Sequence, residues 1–249
     1  MQPPTPSPST SVPVPPNSCP ARVWRIDLGR PFPITTARWL SRDEMERMYR
    51  FHRHADRECF LRSRAALRHL LALETGATPE SIRFRVAPTG KPLLDSPAPP
   101  ESFDFSVAHT EGMALIALRS GGAVGVDVEA VPKSADSYAA IEGVLSPGEL
   151  AYAAGLEEAA RRALLLRAWV AREAFAKACA MGIANLDLTQ VEVPVAPREV
   201  PCRLRVPAPH EHEQGWWLHW LDLGPDHAGA VVTAGSTPSP EVRDWLTEG

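Results

Sequence analysis

Two short segments of this chain carry the residue types that metal and proton chemistry need. The first is Val124-Gly125-Val126-Asp127-Val128-Glu129. A strand alternates its side chains, so Val124, Val126 and Val128 face a core while Gly125, Asp127 and Glu129 share the opposite face. Side-by-side carboxylates repel unless a cation neutralises them, and hard oxygen donors suit Mg²⁺. The small glycine leaves room for something bulky to approach. A solvated strand face would alternate in the same way, so this segment alone leaves both readings open. The second segment, Trp169-Val170-Ala171-Arg172-Glu173-Ala174-Phe175-Ala176-Lys177, is helical by composition and period. Trp169, Glu173 and Lys177 fall four apart on one stripe, with Arg172 and Ala176 beside it. A Glu–Lys pair at that spacing is an ordinary surface stabiliser worth about 0.2–0.5 kcal/mol, but the aromatic at the head of the stripe argues that this face is not simply solvated.

Three smaller signals accompany them. In Phe105-Ser106-Val107-Ala108-His109-Thr110 a histidine ends a strand just before a turn, a position that suits a structural imidazole as well as a ligand-binding one. Gly90-Lys91-Pro92 is a rigid turn presenting a point charge suited to phosphate. Lysine is scarce in this chain, which has 26 basic residues but lysines only at Lys91, Lys133 and Lys177. Arg57, Arg62, Arg64 and Arg68 lie on one helical stretch, with Arg64 and Arg68 four apart; they make either plain surface or an anion site.

These residues need elements to hold them. Residues 1–20 contain eight prolines and no charge, the composition of a flexible tail that cannot bury apolar surface. A strand is predicted at 23–28, two helices between Ser41 and Gly76, a strand at 81–86, a turn at 88–92, a proline-broken loop at 95–100, and a hairpin from 103–107 and 113–118. Ser120-Gly121-Gly122 marks the boundary between halves. Beyond it the pattern predicts a strand at 124–128, helices at 146–159 and 161–181, and strands near 186–193, 203–206, 216–223 and 228–234. The segments Gly112-Met113-Ala114-Leu115-Ile116-Ala117-Leu118 and Gly229-Ala230-Val231-Val232-Thr233-Ala234 resemble one another, which raises a duplication. The fold class is therefore α+β, in two halves at 21–121 and 122–249.

Composition excludes several roles. A net charge of −4 offers no field for gripping nucleic acid. No run of about 18 apolar residues is present, so no membrane span is expected, and no secretory signal pattern opens the chain. Cys19, Cys59, Cys179 and Cys202 form no CxxC pair, consistent with reduced thiols in the cytoplasm.

Taken together, an Arg-bearing helix, Gly-Lys-Pro, a Ser/His turn, an Asp-x-Glu strand and Trp-x-x-x-Glu-x-x-x-Lys resemble, in that order, the 4′-phosphopantetheinyl transferase superfamily, specifically its surfactin-type group with two fused halves. The resemblance spans roughly residues 40–235. It implies a pseudo-twofold fold with an active site at the interface between the halves. It also implies transfer of the phosphopantetheine arm of coenzyme A to a serine of an acyl or peptidyl carrier protein, as in polyketide or nonribosomal peptide assembly, with release of adenosine 3′,5′-bisphosphate. In this resemblance Asp127, Glu129 and Glu173 are the Mg²⁺ ligands, with Asp127, Glu173 and Lys177 as the catalytic set. Arg64, Lys91, Ser106, His109 and Lys177 surround the coenzyme A phosphates and adenine.

The family pattern places the cofactor contacts in the first half, and the metal and carrier docking in the second. Docking is expected from a loop at about 132–160, through Tyr138, Ile141, Val144 and Leu145. An excess of 12 Arg over 6 acidic residues in 21–70 could steer an acidic partner there. The fused halves imply a monomer. Two positions depart from the family pattern: Ala108 lacks a usual hydroxyl, and Arg172 replaces a usual lysine. A Mg²⁺-dependent phosphohydrolase would want the same carboxylates, and a coenzyme A-binding protein acting by interaction alone would tolerate Ala108. Neither accounts for the whole order of motifs as well as the transferase does.

Overall fold

Apolar alternation and well-placed caps build the first half. The computed structural model describes residues 19–30, 34–134, 136–194, 201–235 and 237–245, so most of the expected tail lies outside the described residues. Strand β1 (Arg22–Asp27) buries Val23 and Ile26. Helix α1 (Arg42–Tyr49) begins at a capping box, with the Ser41 hydroxyl accepting from Glu44 N at 3.3 Å and the Glu44 carboxylate accepting from Ser41 N at 2.8 Å. Helix α2 (His54–Thr75) stops at Gly76, whose φ of +67° is the left-handed geometry that glycine supplies without a Cβ penalty. Leu67, Leu70 and Leu71 press its apolar stripe onto Ile26, Phe105, Ile116 and Leu118 of the sheet. That sheet is the hairpin β4 (Phe103–Thr110) and β5 (Met113–Ser120), with β5 also antiparallel to β1. A separate ribbon, β2 (Arg83–Val86) and β3 (Pro92–Ser96), carries Lys91 on its turn.

Gly121 and Gly122, both at positive φ, turn the chain into the second half. Strand β6 (Val124–Ala130) pairs antiparallel with β9 (His227–Ala234), which is hairpinned with β8 (Trp216–Leu221), and β7 (Cys202–Leu204) follows at the far edge. Helices α3 (Asp136–Glu142), α4 (Pro147–Ala153) and α5 (Glu158–Ala178) fill the crossover. The order β1-β5-β4 in one half and β6-β9-β8 in the other is the same topology used twice, in line with the two similar strand sequences.

Side chains of β4 join the halves. Asp104 Oδ2 accepts from Val124 N at 2.9 Å, Ser106 Oγ from Val126 N at 3.1 Å, and Thr110 Oγ1 from Ala130 N at 3.1 Å. These amides lie on the edge of β6 turned away from β9, and pairing them removes the cost of burying unsatisfied donors. Ala108, which has no hydroxyl to accept from Val128 N, is the missing rung. Around this seam Ala108, Leu115 and Ala117 pack against Val124, Val126, Val128 and Val231. On the other face of β6, α5 comes so close that a Cβ at Gly125 would lie 2.0 Å from Ala174 O and 2.4 Å from Ala178 N. The bulky neighbour that Gly125 admits is the helix itself.

Several expectations are corrected. The segment 186–193 is not a strand: it forms 3-10 turns at Ile183–Asn185 and Leu188–Gln190, and Glu192 makes a single bridge to Arg205. Its backbone groups are taken by side chains, Leu188 O by Arg172 Nε at 2.9 Å and Val193 N by Glu149 Oε1 at 3.0 Å. The expected docking loop is helical. Tyr138, Ile141 and Leu145 are buried against Leu165, Leu166 and Ala168, with half-buried Val144 packed beside them, so those three side chains are spent on the core rather than presented to a partner. Their spacing of three and four is a core stripe, and the apolar side chains this segment leaves exposed are Leu150 and Tyr152. Finally, β10 (Glu241–Asp244), which the pattern does not predict, pairs parallel with β1 and so brings the chain back to the first sheet. Trp245 anchors that return, buried beside His69 and donating from Nε1 to its Nδ1 at 3.1 Å. Among the described residues no helix is long and apolar enough to cross a membrane.

Two expected outcomes follow from this packing. Gly125→Ala should destabilise the fold by about 3 kcal/mol or more, because the obstacle is backbone that has no rotamer to change; urea denaturation measures it. His219 is fully buried with Nε2 at 3.2 Å from Thr237 Oγ1, and burial followed by the Arg119 charge pushes its pKa from 6.5 down to about 4. Below pH 6.5 the unfolded histidine binds a proton that the folded one refuses, so stability falls as pH drops from 6.5 toward 4. This residue should make the protein about 2 kcal/mol less stable at pH 5 than at pH 8. His219→Gln should remove that increment from the pH dependence of urea midpoints, and an unchanged slope would assign it to other groups.

Candidate active site

Because α5 lies on β6 at Gly125, the Asp127–Glu129 face of the strand meets the Trp169–Lys177 stripe of the helix. Lys177 Nζ donates to Asp127 Oδ1 at 2.7 Å. The pair anticipated within the helix, Glu173 with Lys177, thus gives way to one between helix and strand. Trp169 Nε1 and Thr110 Oγ1 each donate to Glu129 at 3.4 Å. Asp127 is buried, with Oδ2 lacking a hydrogen-bond partner.

Burial raises all three carboxyls, and the Asp127 charge adds to the rise of the other two. Burial pushes Asp127 up against the pull of Lys177. Burial and then the Asp127 charge push Glu129 up. Glu173 feels both, burial first and Asp127 second, with Lys177 opposing, and is pushed up to about 7. A carboxyl at that value can take or give a proton near neutral pH. Among the described residues no three His, Cys, Asp or Glu side chains converge as a ready metal-binding group, Lys177 holding one Asp127 oxygen.

Glu173 and Lys177 line a cleft of about 280 Å³ between the halves. Gly90, Lys91 and Ser106 line it from the first half, and Phe105, Val107 and Ile183 give it apolar walls. Ser106 also spends its oxygen on Val126 N, as described. His109 sits exposed at the end of β4, its imidazole held below the ordinary value by loss of solvent around the ring and by the Lys177 charge. Arg64 is not in the cleft lining. It lies over the Phe60 and Phe84 rings, 5.6 Å and 4.9 Å from their centroids, with Glu44 Oε1 at 3.5 Å from its Nε. Arg172 is wholly buried: its fork pairs with Glu149 and donates to Leu188 O at 2.9 Å and Ala168 O at 3.1 Å, so it pins α4 to α5 and faces no ligand.

Two neighbours of the site escape a reading of the sequence. Ala180 lines the cleft at a φ of +56°, unusual for a residue with a Cβ, and alanine announces no such turn. Asp104 carries no motif of its own. Glu149 could have been found, since Ser146-Pro-Gly-Glu149 has the spacing of a capping box, which is what it forms.

Comparison with known proteins supplies the family. A family model described as the 4′-phosphopantetheinyl transferase superfamily matches residues 123–232, and one described as 4′-phosphopantetheinyl transferase, N-terminal, matches 33–120. The chain is 30% identical over 234 residues to the 4′-phosphopantetheinyl transferase HetI of Nostoc sp. strain PCC 7120, covering 91% of this chain and 94% of that one. This chain belongs to the 4′-phosphopantetheinyl transferase superfamily. It is also similar to the L-aminoadipate-semialdehyde dehydrogenase-phosphopantetheinyl transferase of Eremothecium gossypii, 34% identical over 139 residues, 53% of this chain and 49% of that one. As a 4′-phosphopantetheinyl transferase it is an enzyme with coenzyme A as co-substrate. The seam between the two family matches falls at the Gly121-Gly122 turn between β5 and β6.

The buried Arg172–Glu149 pair sets a stability test. Arg172→Met should cost about 3–5 kcal/mol in urea unfolding, because Glu149 would remain buried without its counter-charge. Wild-type stability in that variant would mean the pair holds nothing in place.

Proposed function

We propose that the cleft between the halves is where the phosphopantetheine arm moves from coenzyme A to a serine of an acyl or peptidyl carrier protein. The observation that carries this reading is that Glu173 and Lys177 line a cleft that Lys91 reaches from the other half, with Asp127 held by Lys177 just behind them. Glu173, on the cleft wall, accepts the proton of the incoming serine hydroxyl directly or through water. The serine oxygen bonds to the phosphorus bearing the pantetheine arm, the pyrophosphate bond breaks, and adenosine 3′,5′-bisphosphate leaves. Lys177 and Lys91 meet the charge that gathers on the phosphate oxygens. His109, neutral at pH 7, offers a hydrogen bond rather than a charge.

Asp127, Glu129 and Glu173 would hold Mg²⁺. Their oxygens are the hard donors it prefers, the Asp127 charge disfavours ionisation of the other two in its absence, and Asp127 Oδ2 has no hydrogen-bond partner among the described residues. When bound, the ion supplies positive charge to the pyrophosphate. Exposed Leu150 and Tyr152 on α4 offer apolar surface in this segment for carrier docking. The Arg excess of 21–70 is largely spent internally, with Arg22, Arg25, Arg62, Arg64 and Arg68 all paired to carboxylates. A monomer agrees with two halves that supply each other's interface. Cytoplasmic residence agrees with Cys19, Cys59, Cys179 and Cys202 forming no disulfide.

Glu173→Gln should fold as wild type by circular dichroism and lose transfer by at least about 100-fold, the contribution of a positioned base. The assay incubates enzyme, coenzyme A, Mg²⁺ and an apo carrier protein, and reads the phosphopantetheine mass gained by the carrier. Wild-type rates would remove Glu173 from the mechanism. Turnover of coenzyme A without carrier modification would favour a phosphohydrolase.

A further inference from the structure

Lys91 reaches the cleft from a two-stranded ribbon that pairs with no other strand among the described residues. A lysine on such a turn is a charge at the end of a flexible stem, and ordering it when a ligand arrives costs entropy. Here it is already ordered, and from outside the ribbon. Lys91 Nζ donates to Asp104 Oδ2 at 2.6 Å and to Val124 O at 3.4 Å. An ammonium has three donors, so one remains for the cleft that Lys91 lines. The oxygen that takes Lys91 also accepts from Val124 N at 2.9 Å, at the start of the strand that carries Asp127 and Glu129. Both side chains are mostly withdrawn from water, 11% and 15% exposed, which sets this pair apart from a solvent-screened surface bridge. Asp104 itself does not line the cleft, and the chemistry proposed above leaves it unused.

We propose that Asp104 is a positioning residue. It fixes the Lys91 ammonium on the cleft wall, in register with β6, for a phosphate of the anionic co-substrate. The proposal rests on the reading of the cleft as the coenzyme A site. An opposite effect is conceivable on the same contacts, a carboxylate that competes with phosphate for Lys91, and the two differ in sign.

Asp104→Asn removes the charge while keeping the side chain's size and an oxygen for Val124 N. KM for coenzyme A should rise about tenfold, with a smaller change in kcat, because the lost order must be restored on binding. Lys91→Met should raise KM at least as much, and adding Asp104→Asn to it should change KM less than about twofold, since no ammonium is left to position. If Asp104→Asn does not fold, Asp104→Glu runs the same cycle with an expected increment of about threefold, the charge being kept but moved by one methylene. A lower KM in Asp104→Asn would overturn the proposal in favour of competition. Equal increments with and without Lys91 would assign Asp104 a general structural role and overturn it too. An effect of Lys91→Met with none from Asp104 would overturn positioning alone. An unchanged KM in Lys91→Met would take Lys91 out of the coenzyme A site, and the proposal with it.

Discussion

The free edge of β6 is the constraint on which the cleft depends. An edge strand in the middle of a molecule must have its amides satisfied, and among the described residues no further strand does it. Asp104, Ser106 and Thr110 reach from alternate positions of β4 to the amides of Val124, Val126 and Ala130. Because those side chains belong to one half and the amides to the other, satisfying the edge also sets the halves against each other. The cleft, lined from both sides, inherits its geometry from that seam.

A second close approach completes the site from the opposite face. Gly125 lets the α5 backbone settle onto β6, and this is what brings a helix stripe within reach of the strand's carboxylates. Burial there works against ionisation, since the three acids share little solvent and the Lys177 charge does not offset the loss; the shift of Glu173 to about 7 reflects that imbalance. The same imbalance that strains the protein alone favours a positively charged ion and a proton in transit.

Much of this was legible beforehand. The two α-helical stretches, both hairpins, the Gly121-Gly122 boundary and the repeated topology follow from short-range rules: alternation, helical period, caps and positive-φ glycines. The carboxylate face and the Trp-Glu-Lys stripe were visible for the same reason. What stayed hidden has long-range causes. Segment 186–193 alternates like a strand but finds its partners in Arg172 and Glu149, and Tyr138, Ile141 and Leu145 read as a loop until α5 is seen to cover them. The short β10 has no pattern of its own and exists because β1 offers it an edge.

The sequence by itself determined which residues could act and on which element each would stand, because side-chain period is a local property of the backbone. Only the tertiary structure decided what each then does. Lys177 leaves its helical neighbour for Asp127, Arg64 turns to aromatic rings and Glu44, Arg172 becomes an internal strut, and Asp104 takes hold of Lys91. These choices depend on which charges are brought together out of water, where attraction and desolvation are both strong, and that is settled by packing between segments far apart in the chain.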